Sequence, residues 1–559
     1  MTMQQTNADP TATGRDDASS VHQWGRWEGR FESSREIDDP VHAVALRVEL
    51  TAPSGARYDL PAFWDGGRVW RARFCPGETG VWHYASRATP AVPGLDGREG
   101  AFDCVAYQGD NRLYQHGVVG VAPSGRSLAH ADGTPFFYLA DTVWLGPMLS
   151  TPEEWELYLA NRAAKRFSAV QYLSTPFRSI AHDAEGHAAY SGTEHIAIDP
   201  VFFQRLDTRV DSMNEHGLLA VPLVIHAGKD TTLNPGHGLP RDQVIVLARY
   251  IVARYGGNHV LWDLIAEANF HGDGAAYWRE VGRAVFPAPP YPPVTLHPYG
   301  MDWVLDEFND EPWLTVMGYQ SAHGDNETYL RWITQGPPST DWRRKPARPY
   351  INLEPPYEGH LAHHSRTPFD ALAVRRACYW SVLSSPPAGV CYGAHGVWSW
   401  SDGKEAPMAH KDTGTPLPWR EALDMPGADD MTVLVELLST LPWTAMLPAP
   451  DLLAEQPGRE DARRMIVAAR TEDGAAAIVY TPAEGALALR LAGLRLPLRA
   501  TWVDPRTGER HAAGIIEKEE GEVSEAERRL DTPGPGDWVL VLAAASSGLD
   551  NQASGVPHP

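Results

Sequence analysis

Eight short apolar runs recur between residues 111 and 423, and this repetition constrains the fold more than any other feature of the chain. Each run has the length of a buried strand and is followed by a segment of helical character. Alternation of strand and helix is typical of a parallel sheet whose strands are joined by helices. Eight such units in this span predict a (β/α)8 barrel with insertions. The runs are Phe136–Ala140, Ala169–Leu173, Leu218–Ile225, Val260–Ile265, Val294–Leu296, Leu314–Met317, Tyr350–Leu353 and Gly389–Tyr392.

The segment after the first run carries a clear helix-start signal. Thr151 is a suitable N-cap, Pro152 takes the first helical position, and Glu154 completes a capping box. A helix is therefore predicted to begin at Pro152, directly after the first strand of the barrel.

The regions on both sides of the predicted barrel have the alternating pattern of half-exposed strands. In the first region, Trp70, Ala72 and Phe74 fall on one face of a strand. In the last region, Ala476–Tyr480 and Trp538–Leu542 are strand-like. We predict a multidomain chain in which a TIM barrel is flanked by two β-sandwiches. The predicted boundaries are 1–20 for a disordered N-terminus, 21–108 for the first sandwich, 109–425 for the catalytic barrel, 426–545 for the second sandwich and 546–559 for a disordered tail.

The overall charge of the chain limits its partners. The net charge is -23 at pH 7 and the pI is about 5.4. A surface this acidic repels phosphate backbones and anionic lipids, so we expect neither nucleic-acid nor membrane binding, and a neutral substrate fits better. The 20 Trp residues suit a cleft that stacks on sugar rings, although large barrels and sandwiches also bury Trp in their cores.

The cysteines do not indicate a zinc-ribbon site, and the N-terminal segment does not indicate a secretory signal peptide. The four cysteines form no CxxC pair, so neither a zinc ribbon nor a redox motif is expected, and buried free thiols are the default. The first 23 residues lack a basic start and an apolar run, and no stretch is long enough to span a membrane. We therefore expect a cytoplasmic protein, or a chain without its leader; the oligomeric state stays open.

Active sites in such barrels lie at the C-terminal ends of the strands, so the residues that follow each run are the candidates for function. They are carboxylates, amides, hydroxyls, histidines and tryptophans, without a lysine or a glycine-rich phosphate loop. This inventory suits hydroxyl groups and sugar rings. The candidate binding residues are Asp141, Trp144, Gln171, His226, Asn269, His297, Tyr299, Gln320, His323, Tyr357, Trp398 and Trp400.

Two glutamates follow their strands directly. Glu267 comes after the fourth run and Glu354 after the seventh, and these two strands lie on opposite sides of the barrel mouth. Cleavage of a glycoside needs one carboxylic acid to protonate the leaving oxygen and a second carboxylate as nucleophile or base. Each glutamate could instead pair with an arginine at the barrel rim. Their positions beside histidines and tryptophans favour catalysis.

Other residues allow competing interpretations. Asp141 could hold a hydroxyl group or cap the loop that follows it. Metal-dependent hydrolase barrels usually need a His-x-His at the end of the first strand, and the chain has none there. The spacing of His360, His363 and His364 indicates a metal only weakly, so we expect no metal and no cofactor. The alternatives are a non-catalytic carbohydrate-binding protein on a barrel scaffold and a metal-dependent hydrolase.

Several motifs together resemble the apiosidase-like glycoside hydrolases. Residues 133–144 are similar to the first strand of that family, 262–269 to its fourth, 320–323 to its sixth and 354–358 to its seventh. The first domain, with Trp64-Asp65-Gly66, is similar to the sandwich that often precedes such barrels, and the last resembles a module named for collagen binding. The resemblance spans nearly the whole chain and implies a (β/α)8 barrel and glycosidase activity.

The fourth strand departs from the family pattern. That strand usually ends in Gly-Gly-Asp, whereas here it ends in Ile265-Ala266-Glu267. Related hydrolases place an asparagine before the acid to hold the sugar 2-hydroxyl, so Asn269 or Gln320 is the candidate for that contact here. We expect exo-acting, retaining hydrolysis of a neutral furanoside or pyranoside, with Glu354 as nucleophile and Glu267 as acid/base. Glu267 is expected to have a raised pKa.

Overall fold

The computed structural model describes residues 20–287, 292–408, 410–518 and 526–544. The chain forms two compact units. The first contains the described residues up to Gln108 together with Ala253–Asn258, and the second contains the remainder. Apart from Ser20, the segments predicted to be disordered lie outside the described residues. Within the described part of the chain, no helix combines the length and the apolar composition that a membrane crossing requires.

The first unit is the predicted β-sandwich. A five-stranded sheet and a three-stranded sheet enclose a core that contains Trp27, Trp70, Trp82 and Phe102. Cys104 lies in this core as a thiol, and neither it nor Cys75 is part of a disulfide. The strands are Ser20–His22, Trp27–Glu32, Ala45–Thr51, Arg57–Pro61, Phe63–Trp64, Val69–Phe74, Gly80–Thr89 and Glu99–Val105, with a short helix at Pro40–Ala43.

Eight parallel strands in the second unit form the predicted barrel. Hydrogen-bonded ladders join the strands in the order five, four, three, two, one, eight, seven, six. The fifth and sixth strands close the ring, because the backbone N–H of Gly318 donates to the Thr295 hydroxyl over 2.9 Å. The barrel strands are Tyr138–Thr142, Ala169–Leu173, Leu219–His226, Trp262–Ala266, Val294–His297, Met317–Gln320, Tyr350–Glu354 and Gly389–Tyr392.

The helices that follow these strands confirm the alternation, and the capping box at Thr151 is present. The Glu154 backbone N–H donates to the Thr151 hydroxyl, and the Thr151 N–H donates to the Glu154 carboxylate. The helix after the fifth strand is short. The principal helices are Pro152–Ala164, Pro200–Glu215, Arg241–Tyr255, Asp273–Val285, Leu305–Phe308, Glu327–Gln335, Ala371–Ser384 and Pro426–Ser439. Shorter helices are Arg112–His116, Gly146–Leu149, Pro235–Gly238, Pro337–Thr340, His395–Trp398 and Trp419–Ala422.

The last principal helix corrects the boundary between the barrel and the second sandwich. We assigned residues from 426 onward to the sandwich, but Pro426–Ser439 is the eighth barrel helix and packs on Ala371–Ser384. Its buried residues Met431, Leu434 and Leu438 recur at helical spacing, because one face of the helix is turned toward the barrel. The sandwich therefore begins at about Met446.

The C-terminal domain is β-structured, as predicted. A six-stranded sheet and a two-stranded sheet share a core that contains Leu489, Trp502 and Leu540. Arg375 on the seventh barrel helix pairs with Asp537 of this domain over 2.7 Å, which fixes the domain against the barrel. The strands are Met446–Pro448, Val467–Thr471, Ala476–Thr481, Ala486–Arg490, Leu498–Val503, Arg510–Ile516, Glu527–Asp531 and Trp538–Ala544.

Candidate active site

A cavity of about 380 Å³ opens at the carboxyl ends of the barrel strands. Its volume lies within the range of about 300–1,000 Å³ that is typical of small-molecule sites. Both Glu267 and Glu354 line it. Eight of the twelve predicted binding residues also line it, namely Trp144, His226, His297, Tyr299, Gln320, His323, Tyr357 and Trp398.

Glu354 lies at the end of the seventh strand between two histidines. Its Oε2 is 3.2 Å from Nε2 of His297, and its Oε1 is 3.0 Å from Nε2 of His323. Burial raises the pKa of Glu354, but the hydrogen bonds and charges of His297 and His323 outweigh burial and hold this pKa well below its ordinary value. The carboxylate is therefore ionised, with an imidazole ring at each oxygen.

His297 connects this carboxylate to a second, fully buried one. Nδ1 of His297 is 3.2 Å from Oδ2 of Asp263, on the neighbouring fourth strand. Burial lowers the pKa of His297, but Asp263 and Glu354 together raise it to about 10. His297 is thus a cation at neutral pH, with one ring N–H directed to each carboxylate. This arrangement fixes the orientation of the ring and stabilises negative charge on Glu354.

Glu267 projects from an irregular end of the fourth strand. The ladder with the fifth strand shifts register between Asp263 and Ala266, and Glu267 has a φ of 52°. Such irregularities re-aim a side chain at the end of a strand, and a left-handed φ is strained for glutamate. The Glu267 backbone N–H donates to the His297 carbonyl over 2.8 Å, which holds this conformation.

The carboxylate of Glu267 contacts Arg178 and His226. Its Oε2 is 3.2 Å from Nη2 of Arg178 and 3.2 Å from Nε2 of His226. Burial and the charge of Glu354 raise the pKa of Glu267, but the His226 hydrogen bond and the Arg178 charge prevail and lower it. The expectation that Glu267 has a raised pKa is therefore wrong. The arginine partner that the sequence analysis considered for each glutamate is present at Glu267, where it is Arg178.

Arg178 belongs to the loop after the second strand and was missed by the sequence analysis. It adopts a φ of 53°, and its backbone N–H donates to the Asn234 side chain over 2.8 Å. Its guanidinium lies over the Phe177 ring, and Nε is 3.6 Å from Oδ2 of Asp230. The residues that hold Arg178 in place come from separate loops, so no local sequence pattern predicts that its side chain reaches Glu267.

Histidines from later loops form one wall of the cavity. The rings of His323 and His360 stack with centroids 4.1 Å apart, and His363 and His410 also line the wall. Burial lowers the pKa of His363 to about 4 and that of His360 further, so both are neutral at neutral pH. They present a hydrogen-bonding surface rather than a positive one. His364 does not line this cavity and bonds to Asn326 instead.

Asp141 does not line the cavity, and the prediction that it binds substrate is wrong. Its Oδ2 accepts a hydrogen bond from Nε of Arg162 at 2.7 Å and another from the Tyr158 hydroxyl at 2.9 Å. The carboxylate and the guanidinium are both fully buried. Asp141 therefore joins the first strand to its helix, which is neither of the two roles considered for it.

Three further predicted binding residues are also absent from the cavity lining. Gln171 is buried inside the barrel, where its amide donates to the Leu353 carbonyl. Asn269 is exposed and accepts a hydrogen bond from the His271 backbone, which leaves Gln320 as the amide that reaches the cavity. Trp400 stacks on Trp419 at 4.1 Å and packs behind the cavity wall.

The aromatic residues that do line the cavity are held in fixed positions. Trp144 meets the His297 ring edge to face at 5.4 Å. The indole N–H of Trp398 donates to Nδ1 of His395 over 3.0 Å. Together with Phe177 and Tyr299 they give apolar faces around a polar centre, which is the combination that a sugar ring requires.

Comparisons with known families agree with this architecture. Residues 122–445, more than half of the 559, match the family described as "Apiosidase-like, catalytic domain". Residues 20–89 match a domain of unknown function, DUF5060, and residues 447–543 match "Putative collagen-binding domain of a collagenase". No curated protein matches the chain by sequence.

Solved structures show the same fold at low sequence identity. A structure described as a putative glycoside hydrolase from Bacteroides vulgatus is 18% identical, with 94% of this chain and 99% of that chain covered and a TM-score of 0.71. A glycoside hydrolase family 5 protein from the same organism is 20% identical, with 79% and 97% covered and a TM-score of 0.67. A further glycoside hydrolase is 22% identical, with 78% and 98% covered and a TM-score of 0.66.

Proposed function

Because the chain belongs to the apiosidase-like family of glycoside hydrolases, we propose that Glu354 is its nucleophile and Glu267 its acid/base in a retaining reaction. The observation that carries this proposal is the pair of glutamates in one cavity, with Glu354 held between two histidines. The substrate is a neutral glycoside, cleaved at its terminal sugar.

The environment of Glu354 suits nucleophilic attack. A nucleophile must be ionised before it meets the anomeric carbon, and the low pKa of Glu354 supplies that state. The Glu354 oxygen forms a bond to the anomeric carbon while the bond to the leaving oxygen breaks. His297, held by Asp263, positions the carboxylate and is itself a positioning residue.

Glu267 supplies the proton to the leaving oxygen in the same step. A water then enters, Glu267 takes its proton, and the water oxygen attacks the anomeric carbon and releases the Glu354 carboxylate. His226 and Arg178 favour ionised Glu267 before the glycoside binds. A bound glycoside excludes water, which strengthens the effect of burial, and the negative charge of Glu354 acts in the same direction. The Michaelis complex therefore favours the protonated form.

The shape of the cavity supports terminal cleavage. A volume of about 380 Å³ lies near the lower end of small-molecule sites and suits one sugar ring with part of the adjoining group. The neutral histidines and Gln320 offer hydrogen bonds to hydroxyl groups, while Trp144 and Trp398 offer flat apolar faces. A furanoside and a pyranoside both satisfy these contacts.

A panel of aryl furanosides and pyranosides tests the proposal. The full-length protein is incubated with each, and the anomeric configuration of the first-formed sugar is followed by proton NMR. We expect cleavage of at least one neutral glycoside with retention. An inverted first product contradicts the nucleophilic role of Glu354.

The role of Glu267 is tested by leaving-group dependence in the variant Glu267→Ala. Dinitrophenyl glycosides need no proton at the leaving oxygen, so their first step should persist, while poorer leaving groups should slow by about 10²–10⁴-fold. The exposed Glu327→Gln on the helix after the sixth strand is the matched control and should behave as the unmodified protein. Equal losses for good and poor leaving groups would remove Glu267 from the acid role.

A further inference from the structure

A second cavity, of about 240 Å³, lies behind the loop that carries His323. Ala322 and Tyr329 line both this cavity and the catalytic one, so residues 321–325 form part of the wall between them. A side chain at Gly324 would run into the Tyr329 ring, which packs directly on the loop backbone. The cavity is therefore separate from the catalytic one but adjoins it.

Arg376, on the seventh barrel helix, faces this cavity without a carboxylate partner. Within the described residues its guanidinium makes no hydrogen bond and no ion pair, and its Nε is buried. It lies over the Trp380 ring at 5.1 Å. The neighbouring Arg375 differs sharply, because Asp430 and Asp537 both bind it.

Arg376 is partly buried, and partial burial of a guanidinium that makes no ion pair is costly. An arginine does not lose its proton in a protein, so the charge remains, and the buried part of the guanidinium loses solvation unless an anion replaces the water. Burial also lowers the pKa of Arg376, because the same loss of solvation disfavours its charged form. The cation–π contact with Trp380 offsets only part of this loss.

A second arginine lines the same cavity. Arg463 follows the first strand of the C-terminal domain and donates from its guanidinium to the Asp325 carbonyl over 3.0 Å. Among the residues that the structure describes, no carboxylate pairs with the Arg463 side chain. Asp325 and Asp370 also line the cavity, and backbone N–H groups of Ser365 and Ala373 donate to them. The charges of Asp370 and Asp461 act on Arg376, but neither carboxylate forms a hydrogen bond or ion pair with it among the described residues.

We propose that this cavity binds a small oxyanion, the carboxylate of a small organic acid or a phosphate group, between Arg376 and Arg463. Guanidinium groups recognise both through paired N–H donors. The volume lies just below the range of typical small-molecule sites, which suits one such molecule. The site does not depend on the roles proposed for Glu267 and Glu354.

Thermal unfolding of the full-length protein tests the proposal without any turnover. Sodium glucuronate, acetate or inorganic phosphate is titrated at constant ionic strength against sodium chloride. A ligand that binds only the folded state raises the unfolding midpoint with the logarithm of its concentration. We expect such a rise with at least one of the three anions, and the pattern among them distinguishes a carboxylate ligand from a phosphate.

Three variants locate the binding. Arg376→Gln should abolish the rise, and its own midpoint should equal or exceed that of the unmodified protein, because a buried unpaired charge is removed. Arg178→Gln, in the catalytic cavity, and the exposed Arg495→Gln should keep the rise. Arg463→Gln, at an exposed position, should weaken affinity by about tenfold or more and serves if Arg376→Gln fails to fold. No rise beyond chloride, or an undiminished rise in both Arg376→Gln and Arg463→Gln, would overturn the proposal.

Discussion

The ends of the first and seventh barrel strands look alike in sequence but differ in structure. Asp141 and Glu354 each lie at the end of an apolar strand, and both were candidates for the site. Glu354 lines the cavity with a histidine at each oxygen, whereas Asp141 is buried against Arg162 and Tyr158. Position at a strand end therefore selects candidates, and only the partners of the side chain separate catalysis from structural support.

The largest expected effect is on turnover, in Glu354→Gln. Loss of the attacking carboxylate removes the covalent route, so kcat/KM should fall by about 10⁴-fold or more. The amide keeps the shape of the side chain, and the free energy of unfolding should change by less than about 2 kcal/mol. Steady-state kinetics with the best aryl glycoside and urea unfolding measure both quantities. If kcat/KM stays within tenfold of that of the unmodified protein, Glu354 is not the nucleophile, and its role does not differ from the structural role of Asp141.

The next effect is on stability, in Asp141→Asn. The change leaves the fully buried Arg162 without its ionic partner, which typically costs about 3–5 kcal/mol. The midpoint of urea unfolding should therefore fall, while kcat/KM per folded molecule stays within a few-fold. Asp402→Asn, in an exposed loop, is the matched control. If Asp141→Asn unfolds normally but loses turnover, Asp141 belongs to the reaction after all.

Strand periodicity predicted the barrel because buried parallel strands leave a strong local signal. The runs at Ala169–Leu173 and Gly389–Tyr392 match the observed strands residue for residue, and the others agree to within a few residues. The strand ends then pointed to Glu267 and Glu354. The eighth helix was missed because Pro426–Ser439 directly precedes a β-domain, and the predicted boundary at residue 426 assigned the whole helix to that domain.

Loops explain most of what the sequence left unpredicted at the site. Arg178, His360 and His410 come from long connections whose paths depend on tertiary contacts rather than on periodicity. Glu267 owes its direction to a strained backbone and a shifted ladder, which strand patterns do not encode. The pKa of Glu267 is lowered by the hydrogen bond and charge of His226 and, to a smaller extent, by the charge of Arg178. The sequence placed His226 near the site but could not show that its ring contacts the Glu267 carboxylate.

Two glutamines allow the same comparison between a cavity residue and a structural residue, with smaller expected effects on kcat/KM and on stability. Gln320 lines the cavity, whereas Gln171 donates to the Leu353 carbonyl inside the barrel. Gln320→Leu should lower kcat/KM by about tenfold, the worth of one hydrogen bond to a substrate hydroxyl, and leave unfolding nearly unchanged. Gln171→Leu should do the reverse, with a cost of about 1–3 kcal/mol in stability and little change in KM. Similar kinetic losses in both would mean that the inner glutamine reaches the substrate.

The smallest expected change in rate distinguishes the two glutamates by pH. In a plot of kcat/KM against pH, the basic limb reports loss of the proton from the acid and the acidic limb reports protonation of the nucleophile. Arg178 lowers the pKa of Glu267, so Arg178→Gln should raise that pKa and keep the acid protonated to higher pH. The basic limb should move upward, while the acidic limb, governed by Glu354 and its histidines, should stay in place. The rate at the optimum should change by only about threefold, since no bond to the reacting atoms is removed.

Strong coupling between Glu267 and Glu354 would move both limbs together, because two interacting carboxylates titrate as a pair. A basic limb that moves downward, or an acidic limb that moves alone, would reverse the assignment of acid and nucleophile.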